Sequence, residues 1–197
     1  MKRIHPAVCL SFAVVFVLSM FVLVASRKTR LAGQDQRRVK ISYTFHRLPR
    51  IASNQYAVWI EDTKGKYVKT LYATRFMARG GYVRRPQCCP VWRARANWAE
   101  ASPERIDAVA GATPPSGNLE LVWDCTDEKG KPVPDGVYLY HIEGNLYWEN
   151  RVVWTGKIEV GPKPDASEAA AQYFPEDAAR WGPMIEEVKA VYVPDGE

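Results

Sequence analysis

The stretch GKPVPDGVYLYHIEG, residues 130–144, decides the fold of this 197-residue chain. Its two prolines stiffen a turn, and Gly136 permits the positive φ with which such turns end. Tyr138 and Tyr140 then alternate with smaller residues, which places both rings on one face of a strand. The stretch therefore predicts a turn followed by a half-buried β-strand.

Similar alternating segments occur on both sides of this strand and predict several short strands separated by turns. The predicted strands are 39–47, 55–62, 67–73, 118–125, 136–144 and 151–161. This pattern is typical of an all-β domain, and we predict an immunoglobulin-like β-sandwich over residues 39–161. Residues 74–117, which are rich in Arg, Gly, Pro and Trp, are predicted to be irregular.

Two resemblances support this fold. The pattern V-P-D-G-x-Y-x-Y at 133–140 resembles the Ig-like domain of the flagellar hook-capping protein family. Residues 39–161 as a whole resemble the predicted periplasmic proteins classed as domain of unknown function 2271. The resemblances imply a periplasmic β-sandwich, and they imply no particular chemistry because one fold hosts many functions.

The C-terminal segment 162–197 differs in composition, with three basic and eight acidic residues. We predict a mostly irregular acidic C-terminal extension. Within it, SEAAAQYF at 167–174 is compatible with a short helix, and EEVKAVYV at 186–193 with a strand or a second short helix.

Residues 7–26 contain no charged side chain, and as a helix they would span a hydrocarbon core of ~30 Å. We predict one N-terminal transmembrane helix, with residues 1–6 cytoplasmic and 27–38 forming a basic linker. A cleaved signal peptide is the alternative, although its apolar region is usually shorter. The expected location is the bacterial inner membrane, single-pass, with the C-terminal domain in the periplasm. The basic residues after the span oppose this orientation under the positive-inside rule.

The net charge of +5 is unevenly distributed along the chain. Residues 1–50 hold ten Lys or Arg against a single Asp, whereas the remaining 147 residues hold seventeen basic against twenty-one acidic side chains. The basic charge therefore lies beside the apolar segment, where anionic membrane lipid is the expected partner and nucleic acid is not.

The segment Asp107-Ala-Val-Ala-Gly-Ala-Thr113 is the part of the sequence that indicates chemistry. It resembles the acceptor motif of covalently flavinylated bacterial proteins, in which a flavin transferase moves FMN from FAD onto a Thr or Ser hydroxyl. The resemblance implies FMN on Thr113, with Asp107, Gly111 and Ala112 as the other motif residues. Small neighbours and a bendable backbone suit a hydroxyl that must enter another enzyme's active site. An ordinary surface turn built from small residues is the alternative.

Seven arginines and two tryptophans surround this motif. The arginines could pair with the FMN phosphate or an acidic partner, or simply form a solvated face. Trp92 and Trp98 could shield a flavin ring or fill a core. The arginines are Arg75, Arg79, Arg84, Arg85, Arg93, Arg95 and Arg105.

Cys88, Cys89 and Cys125 are candidate disulfide partners in an oxidising compartment. One of the adjacent pair could bond to Cys125, the pair could bond to each other, or all three could be buried thiols. The sequence holds no haem-attachment or CxxC metal motif, and His141 is expected to be structural. We find no self-contained active site and expect that the protein is not an enzyme.

Two functions fit these observations. The first is a membrane-anchored periplasmic electron carrier with FMN on Thr113, which relays electrons between integral-membrane redox proteins and external acceptors. The second is a non-catalytic accessory or scaffold subunit of a large respiratory or photosynthetic membrane complex, which binds neighbouring subunits through its helix, β-domain and aromatic surface.

Overall fold

The structure is a computed structural model and describes residues 37–195. The predicted cytoplasmic segment 1–6, the transmembrane helix 7–26 and nearly all of the linker 27–38 lie outside the described residues. From residue 37 to residue 195, no helix is both long and apolar enough to cross a membrane.

Two β-sheets contain most of the regular structure of the described chain. The smaller sheet is antiparallel and has the order β5-β1-β10-β8. Its strands are β1 (Arg38–Phe45), β5 (Gly117–Trp123), β8 (Asp165–Glu168) and β10 (Ile185–Val193).

The larger sheet has six strands in the order β4-β3-β2-β6-β7-β9. All its pairs are antiparallel except β3 with β4. Its strands are β2 (Tyr56–Asp62), β3 (Tyr67–Thr74), β4 (Ala110–Gly111), β6 (Gly136–Tyr147), β7 (Asn150–Val160) and β9 (Ala170–Phe174).

The main core lies between these two sheets. Alternate residues of β1, namely Val39, Ile41, Tyr43 and Phe45, are buried there, as the period of a strand requires. They belong to one cluster with buried residues of the larger sheet, such as Tyr140. The expectation of an all-β architecture with two sheets is confirmed, whereas its immunoglobulin-type relationship stays a prediction.

The turn before β6 has the predicted chemistry. Gly136 has a φ of 152°, and the hydroxyl of Tyr138 donates a hydrogen bond to the carbonyl of Pro134 at 2.7 Å. Tyr138 and Tyr140 both lie in the main core, as their alternation predicted.

Residues 74–117 are more ordered than expected. They form three short α-helices, α1 (Arg75–Ala78), α2 (Pro90–Arg95) and α3 (Pro103–Val109), and the 3₁₀ turns Gly81–Val83 and Trp98–Glu100. These pieces cover the outer face of the larger sheet, where Trp59, Trp92 and Trp98 form a second core. A sequence-period analysis misses such elements because none exceeds two turns.

The C-terminal segment is not a mostly irregular extension. It contributes β8, β9 and β10, and β10 pairs with β1 from Arg38–Val193 to Phe45–Ile185. The predicted helix at 167–174 is also wrong, because Ala171 and Tyr173 instead pair with Trp154 and Val152 of β7. An eight-residue helix is marginal in water, whereas a free sheet edge provides hydrogen-bond partners. Residues 186–193 are a strand, which was one of the two alternatives.

Candidate functional site

Helix α3 and the short strand β4 deliver Thr113 to the surface. The helix begins at Ser102, whose hydroxyl accepts a hydrogen bond from the backbone N–H of Arg105 at 3.3 Å, and it has Pro103 at its first position. It ends in β4, where Ala110 and Gly111 pair in parallel with Ala73 and Thr74 at the end of β3. The chain then leaves the sheet as a loop, residues 112–116, which leads into β5.

Hydrogen bonds hold this loop at its two ends but not at its centre. The hydroxyl of Tyr72 donates to the carbonyl of Ala112 at 2.7 Å, and the backbone N–H of Arg47 donates to the hydroxyl of Ser116 at 2.8 Å. Between these anchors, Thr113 is half-buried and its hydroxyl makes no hydrogen bond with any residue from 37 to 195. The side chain that the motif predicts as the acceptor is therefore not packed beneath the sheets.

Gly111 is needed because of close packing. A Cβ at this position would lie 2.2 Å from Cε2 of Tyr72, so the ring of Tyr72 would have to shift to accommodate any side chain. The sequence predicted a small residue for the access of a modifying enzyme, and the structure adds an internal reason for the same residue.

Asp107 lies on α3, where it forms an ion pair with Arg79 at 2.6 Å. Both side chains are more than half exposed, so the pair contributes little to stability. The ion pair joins α3 to the end of α1, the two helical segments that flank β4. Asp107 and Thr113 are thus brought to one region, but no direct contact joins them.

Four of the seven surrounding arginines are exposed, as a solvated face predicts, but six of the seven also contact another group of the chain. Arg93 donates to the backbone carbonyls of Cys88 and Pro86, and Arg105 pairs with Glu128. Arg84 and Arg85 lie against the ring of Phe76, at 5.9 and 5.3 Å. Arginine is suited to such contacts because its planar group stacks and also donates along several directions.

Trp92 and Trp98 are core residues of the second cluster. Their ring centroids are 4.5 Å apart, and their indole N–H groups donate to Thr70 and to the carbonyl of Ala78. Trp92 is fully buried and has no face left for a ligand, whereas Trp98, which is 1% exposed, borders three surface clefts.

The three cysteines of the described chain are free and buried, which was one of the alternatives. Cys88 and Cys89 belong to the second core, whereas Cys125 belongs to the main core on the other face of the larger sheet. A bond from either of the pair to Cys125 is therefore not formed. Burial raises the pKa of all three thiols, that of Cys125 to about 12, so they are poor nucleophiles.

One buried acid was not singled out from the sequence. Glu143 has no exposed surface, and its carboxylate accepts hydrogen bonds from the backbone N–H groups of Trp92 at 2.8 Å and Val91 at 3.3 Å. The Arg151 guanidinium lies 3.3 Å away. Burial outweighs these contacts and raises the pKa of Glu143 to about 7. No sequence signal marks this residue, because it occupies one position in an ordinary alternating strand.

His141 is structural, as expected. Its ring stacks on Trp59 at 4.8 Å, and Nδ1 lies 2.9 Å from the hydroxyl of Thr155. Burial lowers its pKa to about 4, so it is neutral at pH 7. Within residues 37–195, no group of three His, Cys, Asp or Glu side chains could hold a metal ion.

The fold and the loop together define a two-sheet β-domain that presents a threonine between two anchored loop ends. The chain belongs to the family described as "Predicted periplasmic protein (DUF2271)", whose model matches residues 36–174. This description supports a periplasmic location for the domain. Comparison with curated proteins and with solved structures gives no match.

Proposed function

We propose that this protein is a membrane-anchored periplasmic electron carrier whose FMN is attached covalently to Thr113. The observation that carries the proposal is the state of Thr113, half-buried in an open loop with a hydroxyl that no described residue engages. A transferase needs such a hydroxyl, and a threonine that only stabilised the turn would be expected to hydrogen-bond its own backbone.

The residues around Thr113 fit the role of an acceptor site. Ala112 is exposed and carries only a methyl group, and Gly111 carries none, so a second protein can approach the loop. Pro114 and Pro115 hold the following chain extended. When bound, FMN supplies the electron-transfer chemistry, and this chain supplies the attachment point and the environment of the ring.

The carrier is proposed to act beside a membrane and not to turn over a substrate alone. The uncharged segment 7–26 would anchor it, and the basic residues that follow would contact anionic lipid headgroups. Anchoring raises the effective concentration of the domain near integral-membrane redox partners. An exported flavin transferase is the other partner that this function requires, and the Ig-like sandwich serves as the rigid support.

The intact mass of the full chain tests this function. Protein produced with an exported flavin transferase should exceed the bare chain by one FMN moiety, and Thr113→Ala should abolish the increment. Ser116→Ala, which removes a hydroxyl three residues away in the same loop, should keep it. Wild-type protein of unmodified mass in the presence of an active transferase contradicts the proposal.

A second candidate function is the accessory or scaffold subunit of a membrane complex, and the hairpin between β6 and β7 favours it. Trp148 at the hairpin tip is 41% exposed and has a φ of 46°, a conformation that suits Asn or Gly and strains a bulky residue. An exposed aromatic residue in a strained backbone conformation is typical of a binding interface. Stoichiometric co-purification with a complex that Trp148→Asn abolishes and Thr113→Ala leaves intact would favour this function.

A further inference from the structure

Two clefts lie on the two sides of α3, the helix that leads to Thr113. The first, of about 470 Å³, is lined by residues that include Tyr67, Lys69, Arg105, Ala108 and Glu128. The second, of about 350 Å³, is lined by residues that include Ala78, Arg79, Tyr82, Trp98, Ile106 and Asp107. Both are large enough for a planar organic ring.

The second cleft is built from the same elements as the acceptor loop. Asp107 of the motif lines it together with Arg79, and the two form an ion pair at 2.6 Å. Arg79 directly follows α1, which begins after Thr74, the residue paired with Gly111. The first cleft contains Ala108 and Val109 of the motif, but neither Asp107 nor any residue of α1.

The second cleft adjoins a hollow of about 310 Å³, which shares Tyr82, Trp98 and Ala99 with it and is also lined by Arg93 and Asn97. We call the two together the Tyr82 groove. Where the two halves meet, the lining comprises Tyr82, Ala99 and the small exposed part of Trp98, a residue that is 1% exposed. Arg79 lines one half of the groove and Arg93 the other, and the Arg93 guanidinium lies over one face of the Tyr82 ring, 4.7 Å from its centroid.

Charge distinguishes the groove from the rest of the domain. Residues 75–99 contain six arginines and no Asp or Glu, whereas the other residues of 37–195 contain sixteen basic and twenty acidic side chains. Among the described residues that line the groove, the only carboxylate is that of Asp107, which Arg79 already neutralises. The groove therefore presents an apolar floor in a positive field, which suits a flat ring with an electron-rich edge.

We infer that the Tyr82 groove is the seat of the isoalloxazine ring of the FMN carried by Thr113, an inference that rests on the proposed function. The ring is planar and aromatic, which matches Tyr82 and the small exposed part of Trp98, and one edge carries carbonyl oxygens that accept hydrogen bonds from guanidinium groups.

The first cleft is the less suitable seat because its lining includes two carboxylates, those of Glu104 and Glu128, whereas the lining of the groove includes one. Arg105 binds Glu128 and lies between the rings of Tyr67 and Trp98, at 5.2 and 5.0 Å from their centroids. Lys69 contacts Asp124 at 2.8 Å. A ring placed there would have to displace these contacts.

The experiment compares two alanines that are both exposed and that line different clefts. The full chain is produced with an exported flavin transferase, and its intact mass verifies the attached FMN. Ala99→Leu obstructs the groove where its two halves meet, and Ala108→Leu obstructs the first cleft as a matched control. The readouts are the anisotropy of flavin fluorescence and its quenching by iodide, neither of which depends on an electron-transfer partner.

An isoalloxazine ring that is bound in the groove gives high fluorescence anisotropy and is quenched poorly by iodide. We expect Ala99→Leu to lower the anisotropy towards that of a freely rotating tethered ring and to raise iodide quenching several-fold, while Ala108→Leu changes neither. Ala94→Leu, at the far half of the groove, provides a second variant should Ala99→Leu misfold, as judged by far-ultraviolet circular dichroism. A wild-type chain without the FMN mass overturns the proposed function. A flavinylated chain whose ring is mobile, or responds only to Ala108→Leu, overturns the inference about the groove alone.

Discussion

At Gly111 the ring of Tyr72 leaves no room for a methyl group, since an added Cβ would lie 2.2 Å from it. We expect Gly111→Ala to lower the free energy of unfolding by about 1–3 kcal/mol, the usual cost of overpacking, because Tyr72 is held by Ala112 and by stacking on Tyr56. Urea denaturation measures the loss.

Gly161→Ala is the matched control for this substitution. Nothing lies within 4 Å of a Cβ at position 161, so its effect should stay within about 0.5 kcal/mol. Equal losses for the two variants would mean that Gly111 is not kept for its contact with Tyr72.

Glu143 makes stability depend on pH in a predictable direction. Its pKa is raised from 4.5 to about 7, so the folded state binds the proton more tightly than the unfolded state does. The stabilisation is fully present below pH 4.5 and is lost as the pH rises through 7, a change of about 3 kcal/mol. Glu143→Gln should remove this dependence of stability on pH. The free energy of unfolding of the wild type, taken relative to that of the variant, should therefore be higher at pH 5 than at pH 8.

The comparison with the variant is needed because His141 acts in the opposite sense. Its pKa is lowered to about 4, so its contribution is present above pH 6.5 and is lost as the pH falls. The difference between wild type and Glu143→Gln cancels the contribution of His141. Glu159→Gln, an exposed change on the neighbouring strand β7, controls for the loss of a surface charge. A pH-independent difference between wild type and Glu143→Gln would contradict the burial argument.

These residues also show which features of the structure the sequence predicts and which it does not. The alternation of Tyr138 and Tyr140 predicts their common face, since strand period is a local property. Glu143 lies three residues further in the same strand, and its burial depends on α2, which is fifty residues away in the chain and covers the strand. The same holds for Asp107, whose partner Arg79 could not be chosen from the seven neighbouring arginines by spacing alone.

Strand β10 has a neighbour on each side, and this position governs its sensitivity to proline. Lys189 pairs with Ser42 of β1 and with Glu168 of β8, so its amide faces a partner strand whichever way it points. We expect Lys189→Pro to cost about 3 kcal/mol or more, because proline removes the N–H and disturbs the ladder. Thermal and urea unfolding measure the loss.

Gln172→Pro on β9 is the matched comparison, since both side chains are exposed and β9 is an edge strand paired only with β7. We expect a smaller loss there. If Gln172→Pro were the more damaging change, the placement of β10 inside the smaller sheet would be wrong.

The C-terminal strands show why the sequence predicted the strands of residues 39–161 better than the C-terminal limit of the β-domain. Residues 39–161 show clear alternation, and each of the strands predicted there is present within a few residues of its expected ends. In the tail, the alternation of Val188, Ala190 and Tyr192 is compatible with the strand that was one of the two alternatives for residues 186–193, whereas the acidic composition predicted an irregular extension around it. Strand β10 pairs with β1, the first strand of the domain, and no local feature of the sequence indicates that pairing.

At the scale of the whole molecule, the larger sheet separates two cores of unequal size. Among the described residues, the main core contains twenty-three buried residues and the second core ten. The second core is closed by helices of four to seven residues, which are not stable alone. The layer that carries Asp107 and the Tyr82 groove is therefore expected to open before the two sheets separate.

Thiol labelling tests this order because the cysteines lie in different cores. In a Cys9→Ser background, Cys88, Cys89 and Cys125 should all resist alkylation in buffer, since each is buried and its pKa is raised. In urea below the main transition, we expect Cys88 and Cys89 to be labelled several-fold faster than Cys125, as resolved by mass spectrometry of the digested protein. The faster sites report opening of the helical layer alone, and Cys125 reports separation of the sheets. Identical rates at all three sites would mean that the two cores unfold as one unit, and that the layer around the groove is as stable as the sandwich beneath it.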